Sequence, residues 1–392
     1  MAKPATKDEI RRLNLSAVLT AVHHNGLISR ANLGKSLGLS KTSIAELVED
    51  LEALGLIVRT DGELTGSAGR PSQQVAPSSV PTILVVNPEI DGVNLGLVSF
   101  AAHIQHQEFV PMGKHYSFET MASLVADFFS RLTRDQRYAV HGVTLALPGG
   151  IDQNRRVLID APSLGWRNLD ATTAIFESTK KPVWLINNAR AGMLGEHRYG
   201  VAKGASNSVY LFSGVGGIGG GFIVDGRILT GANSLAGEIG KMRLLGLEPE
   251  SRQTLGDALQ RGPLALALTG GKSGSQITDA QLDDALSGMH SAEVNGILDS
   301  QIGALVSAIA TLRDLFDPEK IILGGYLGSV LRVRRNEIEF LLDKESFGRK
   351  SRDFLVARPL EVKDMVLLGG AAEAWQSVLS NPQSIRKGAT HA

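Results

Sequence analysis

A stretch rich in glycine, serine and proline, GELTGSAGRPSQQVAPSSVP at 62–81, divides the chain into two regimes of hydrophobic periodicity. Residues of these types interrupt helices and strands, so the stretch marks a boundary, placed near Pro77 to Pro81. Upstream, apolar residues recur at helical spacing. Downstream, the β-like runs ILVVN (83–87), VNLGLVSF (93–100) and VHGVTLALP (140–148) are interrupted by a helix candidate from Phe118 to Leu132. A second series follows: the glycine-rich hairpin VYLFSGVGGIGGGFIVDGRILTG (209–231), a long helix near 292–316, and the strand and turn KIILGGY (320–326). The alternation predicts an α/β protein of two lobes facing each other across a cleft, behind a small helical domain.

Composition limits what such a chain can do. There are 392 residues, 43% of them hydrophobic, which is enough for several buried cores. The absence of cysteine excludes disulfides and thiolate metal sites. The opening MAKPATKDEIRRLN has charges but no apolar core, and no later run approaches a membrane-spanning length, so the cytoplasm is the expected location. Forty basic and forty acidic residues cancel, so any binding to nucleic acid must come from local arrangement.

Such an arrangement is present in the first regime. Ile10, Leu13, Ala17, Val18, Ala21 and Val22 recur at helical spacing, with Gly26 as a stop. Ser29 caps a second helix reaching Leu37. After the turn Gly38-Leu39, Ser40 caps a third helix whose apolar face is Ile44, Leu47, Val48, Leu51 and Leu54, closed by Gly55. The other face of that helix opens with Lys41, Thr42 and Ser43, at an N-terminus whose free amides suit a phosphate-lined groove. Residues 1–75 hold nine basic and eight acidic side chains, so distribution carries the signal rather than net charge. From Leu27 to Ala45 the only charges are Arg30, Lys35 and Lys41, whereas Glu46, Glu49, Asp50 and Glu52 lie further along the third helix. LIVRT and Asp61-Gly62 read as the strand and turn of a wing, and Gly69-Arg70-Pro71 offers an arginine on a stiff backbone that can enter a minor groove. The whole segment resembles the winged helix-turn-helix of bacterial repressors. That resemblance implies a double-stranded DNA operator as partner, contacted by Arg30, Lys35, Ser40, Lys41, Thr42, Ser43, Gly69, Arg70 and Pro71. A helical protein-interaction module with the same core pattern is the competing expectation.

Between the lobes, PVWLINNARAGMLGEHRYG (182–200) is an apolar run that stops on two adjacent amides, Asn187 and Asn188. A strand that ends on polar groups before a helix presents them at a cleft. A carboxylate there could take a proton from a hydroxyl; an amide can only hold it. With APSLGWRNLD (161–170), LAGEIG (235–240), DPEKIILGG (317–325) and LLGGAAEA (367–374), the pattern over about 83–377 resembles the ROK family of repressors and sugar kinases, which share an actin-like, sugar-kinase-like fold. The resemblance makes the preceding winged helix a mark of the repressor branch.

Departures from the family's kinase pattern imply a binding protein without catalytic residues. Asn188 stands where those kinases carry the aspartate that acts as general base, and Asn87 replaces the acid of the first phosphate loop, which Pro88-Glu89 is expected to occupy. Lys241 stands at the family's zinc-ligating histidine and GLEPESRQTLGDAL (246–259) has no thiol, so neither a metal nor any other cofactor is expected. The glutamate that follows the family's cysteines is lost near Gly256. Asn187, Asn188, Glu238 and Lys241 remain as the expected site for a sugar or sugar-phosphate effector, with Lys241 as a buried ammonium that favours an anionic sugar. Structural roles compete: Asn188 as a helix cap, and Glu238 with Lys241 as an i,i+3 pair. His103 and His106 are expected to be surface residues rather than metal ligands.

The organisation expected is a winged helix-turn-helix over 1–75, a linker over 76–82, lobes over 83–187 and 188–379 with a C-terminal helix returning to their interface, and a disordered tail over 380–392. A homodimer, or a higher oligomer, with no membrane partner completes the expectation.

Overall fold

The computed structural model describes residues 6–60, 73–113, 115–243, 253–271, 277, 279–288, 290–344, 348, 350–358 and 362–387. Its first element is the helix Lys7–Asn25, started by a capping box in which Thr6 and Glu9 bond reciprocally and ended by Gly26. Arg30–Leu37 and Lys41–Ala53 follow, capped by Ser29 and Ser40, whose hydroxyls accept from the Asn32 and Ser43 amides. The left-handed turn between them rests on Gly38, at φ 67°. A three-stranded sheet places Gln74–Pro77 between Ile28–Ser29 and Ile57–Thr60.

That sheet shortens the expected linker. Ala76 and Pro77 pair with Val58 and Ile57, and Thr82 already opens the next strand. Only 78–81 lie between, and they are tethered: the Ser78 amide donates to the Leu56 carbonyl at 2.9 Å and the Phe100 amide to that of Pro81 at 2.9 Å. Burial of Val75 draws this segment into the N-terminal unit.

In the first lobe Thr82–Glu89 lies between Val140–Leu147, which runs parallel to it, and Gly92–Ser99, which runs antiparallel; Val183–Asn187 and Ile104–Pro111 form the edges of this five-stranded sheet. Both faces are covered, which explains the unbroken apolar runs. Leu84 and Val86 point toward Met121, Val125 and Phe128 of the helix Phe118–Arg131. Ile83 and Val85 point the other way, toward Leu367, Ala371 and Trp375 of Val362–Ser380. Each fully buried side chain of this size contributes roughly 1.5–3 kcal/mol.

The second lobe is a five-stranded sheet in the order Arg227–Ile228, Gly217–Val224, Ser208–Gly214, Lys320–Gly325, Leu355–Arg358. One face packs on the helices Ala292–Phe316 and Tyr326–Lys344. Between the lobes, Asn188–Tyr199 lies against Val362–Ser380 so closely that a Cβ at Gly369 would strike the Ala191 carbonyl. The expected disorder from residue 380 is corrected: Ser384–Lys387 is helical and Ile385 packs on the apolar cluster that includes Trp375, while 388–392 lie outside the described residues.

Candidate ligand cleft and nucleic-acid face

A cleft of about 800 Å³ opens between the lobes, lined among others by Pro88, Glu89, Gly149, Asp160, Asn187, Asn188, Glu238 and Lys241. The two amides have different partners. Asn187 caps the helix: its Oδ1 accepts from the Arg190 amide at 3.1 Å and its Nδ2 donates to the Gly149 carbonyl at 2.9 Å. The capping role expected as the alternative for Asn188 therefore belongs to its neighbour. Asn188 Oδ1 accepts from the Ala189 amide at 2.9 Å, and the residue lines the cleft half-buried.

Glu238 leads into the short 3-10 turn Ile239–Lys241, and Lys241 Nζ lies 3.8 Å from its carboxylate, the spacing of the expected i,i+3 pair. The lysine side chain is 78% exposed, which corrects the expectation of a buried ammonium. The turn is short and opens into the cleft, so water reaches Nζ and Glu238 partners it, and an exposed pair of this kind is worth about 0.2–1 kcal/mol.

Opposite, Pro88 and Glu89 line the cleft from the end of a strand rather than from a loop, since the ladder with Gly92–Ser99 continues to Glu89 and leaves only Ile90 and Asp91 to turn. Glu89 accepts from Asn87 Nδ2 at 3.0 Å, and the Tyr116 hydroxyl donates to its backbone carbonyl at 2.7 Å. A carboxylate there opposes a polyphosphate. The glycine-rich hairpin has a packing reason: a Cβ at Gly219 would lie 2.8 Å from Ala189 Cβ and one at Gly221 2.6 Å from Met193 Cβ. Glycine lets the interlobe helix lie directly on that strand.

Arg190 was not singled out by sequence reasoning, although a lone arginine among small residues just past the amides was a usable signal. It is buried, its Nη2 donates to the Ser234 carbonyl at 2.6 Å, and burial lowers its pKa while Glu373 and Glu238 oppose that. Among the described residues no group of His, Cys, Asp and Glu is placed to hold a metal; His106 is an exposed strand residue near Phe128, and His103 lies just before that strand.

On the N-terminal unit, Lys35, Ser40, Lys41 and Thr42 are exposed, and Arg30 and Ser43 half-buried. Ser43 is held locally by Ser40, hydroxyl to hydroxyl at 2.9 Å. The acids further along the helix are paired: Asp50 and Glu46 with Arg11, Glu52 and Glu49 with Arg59. These acids thus have arginine partners on neighbouring elements of the N-terminal unit. Gly69, Arg70 and Pro71 lie outside the described residues.

Known proteins share this architecture. A xylose repressor from Caldicellulosiruptor bescii is 26% identical over 234 residues, 59% of this chain and 58% of that protein, so the match spans less than two thirds of the relative. A crystal structure of a ROK family transcriptional regulator, homologous to the E. coli MLC protein, covers 96% of this chain and 99% of its own at TM-score 0.74 and 21% identity. A ROK family glucokinase from Streptomyces griseus, in complex with glucose and AMPPNP, covers 75% of this chain and 99% of its own at TM-score 0.62 and 20% identity. The family model for ROK matches residues 91–376, nearly the whole two-lobed part of the chain, and with that match the chain belongs to the ROK family.

Proposed function

We propose that this chain is a transcriptional repressor that binds operator DNA through its N-terminal unit as a homodimer and is released or retained by a sugar or sugar phosphate held between the lobes. The observation that carries it is the exposed, acid-free start of Lys41–Ala53, on a three-helix N-terminal unit packed against the ROK lobes. Lys41 and Thr42 reach a major groove, Arg30 and Lys35 meet phosphates, and Arg70, outside the described residues, enters the adjoining minor groove. Such a protein acts in the cytoplasm, and no described helix is long and apolar enough to cross a membrane.

The cleft binds without phosphoryl transfer. Asn188 offers an amide where proton abstraction needs a base, and Glu89 faces the space a polyphosphate would need. Asn188 and Glu238 hold sugar hydroxyls, with Asn187 shaping the turn and Lys241 at the open side. The relatives supply the first probes, xylose and glucose. The test is a gel shift of DNA flanking the gene, with the full chain and with Lys41→Ala/Thr42→Ala, each with and without these sugars. Binding by the full chain that the double substitution abolishes is the expected result, and equal shifts by both proteins would refute it. Sugar-dependent ADP release from ATP would instead establish a kinase with an appended DNA-binding unit.

A further inference from the structure

The helix Asn188–Tyr199 touches both proposed sites. At its N-terminal end Asn188 lines the cleft, and two residues on Arg190 holds the Ser234 carbonyl at 2.6 Å, at the start of the segment that leads to Glu238. At its C-terminal end the Tyr199 hydroxyl is 3.2 Å from His23 Nε2, and Arg198 Nη1 meets His24 Nε2; both histidines belong to the last turn of Lys7–Asn25. The helix it packs against, Val362–Ser380, meets the same N-terminal helix where Ser16 Oγ donates to the Leu379 carbonyl at 2.6 Å. Residues 189–196 are buried without interruption, so the body of the helix has packed neighbours on every side, while Asn188 and residues 197–199 at its ends are half-buried. Its 12 residues make a rod of about 18 Å at 1.5 Å per residue.

We infer that Asn188–Tyr199 is the lever by which a ligand in the cleft moves the DNA-binding unit, with Arg190 as its ligand-side grip and Tyr199 and Arg198 as its grip on His23 and His24. This rests on the proposed function of both ends. Closure of the cleft around a ligand would draw on the segment containing Ser234 and Glu238, which Arg190 ties to the helix. A rod held on all sides passes such a displacement to its far end instead of absorbing it. There a few polar contacts and the apolar seat of Val18, Leu19 and Val22 fix the angle of the whole N-terminal unit.

Hydrogen exchange followed by mass spectrometry on the full chain tests the lever from both ends without a ligand. Arg190→Gln is expected to speed exchange at 12–25 as well as at 231–238, roughly twofold to thirtyfold, the range of coupling energies for such elements. Tyr199→Phe, a conservative change that retains the ring, is expected to do the same at 231–238 from the other end. The strand Ile104–Pro111 should be unaffected by either, which separates coupling from general unfolding. If each variant changes exchange only at its own end, the lever is refuted. Xylose and glucose on the wild type form a separate arm: protection in the cleft with no change at 12–25 also refutes it. No protection by either sugar counts against these ligands as effectors, and the two variants still decide the lever.

Discussion

Asn187 and Asn188 are adjacent in sequence and chemically identical, yet their surroundings give them separate tasks. Asn187 is committed at both ends of its amide, to the Arg190 N–H and the Gly149 carbonyl. Asn187→Ala is therefore expected to lower stability by about 1–2 kcal/mol, the worth of a cap and a tertiary hydrogen bond, in urea titrations. Asn188→Ala should leave stability nearly unchanged and weaken sugar binding in calorimetry. Asn188→Asp should not bring turnover with ATP and hexoses above background, because Glu89 still faces the cleft; sugar-dependent ADP release by that variant would show that one residue decides catalysis. Lys241 shows where sequence alone falls short. Its position in the cleft followed from the motif, but its exposure depends on how the short turn Ile239–Lys241 opens to solvent, which no spacing rule supplies. Lys241→Met should accordingly lower a preference for an anionic over a neutral sugar by no more than about fivefold, the value of one exposed charge contact.

At the scale of elements, the caps and stops were the most legible signals, since Ser29, Ser40 and Gly38 act within one turn of the chain and their chemistry is local. The same locality predicts what Thr42 does: replaced by alanine, it should relax base choice at one operator position, costing about 1–3 kcal/mol there, while Lys41→Ala weakens all sequences and flattens the salt dependence, both measurable by fluorescence anisotropy. Less legible was the reason for the glycines of the hairpin. In sequence they suit a phosphate loop and a turn equally well; in the fold Gly219 and Gly221 give room to Ala189 and Met193, more than twenty residues earlier in the chain. That contact comes from tertiary packing and leaves no periodicity. Gly221→Ala should destabilise the second lobe by about 1–3 kcal/mol as an overpacking change, visible as a lower midpoint in thermal unfolding. The linker and tail expectations were drawn too wide for a related reason: 76–77 and 384–387 are ordered, while 78–81 still connect the units. Polar, proline-bearing segments read as unstructured until a partner such as Ile57 for Pro77, or the Trp375 cluster for Ile385, gives them a ladder or an apolar seat.

For the whole molecule, the decisive surface is the one between the N-terminal unit and the lobes, because the proposed function requires any signal between cleft and DNA to cross it. His23 is at its centre, 8% exposed, its ring 4.4 Å from that of Phe100, with Phe100 in turn edge-on to Trp375 at 5.1 Å. Burial pushes its pKa down to about 3, and the charges of His24 and Arg198 push the same way, while a hydrogen bond with the Phe100 backbone opposes them. Tyr199 supplies the hydroxyl to Nε2, and among the described residues no carboxylate acts on the ring. The sign follows. An imidazole with its native pKa below the unfolded value of about 6.5 takes up a proton on undocking. Docking is therefore fully favoured above that pH and weakens as pH falls toward the native value, by up to about 1.4 kcal/mol per pH unit for the one proton. His24, pushed down to about 4 by burial with Arg198, His197 and Lys203, adds in the same direction. Between pH 7.5 and 5 the wild type should thus show falling protection at 12–25 once the intrinsic pH dependence of amide exchange is divided out, with protection of the second-lobe strands unchanged. His23→Phe keeps a ring of similar size against Phe100 and has no proton to gain, so it should remove most of that pH dependence; a variant that loosens with acid as steeply as the wild type would place the titrating group elsewhere.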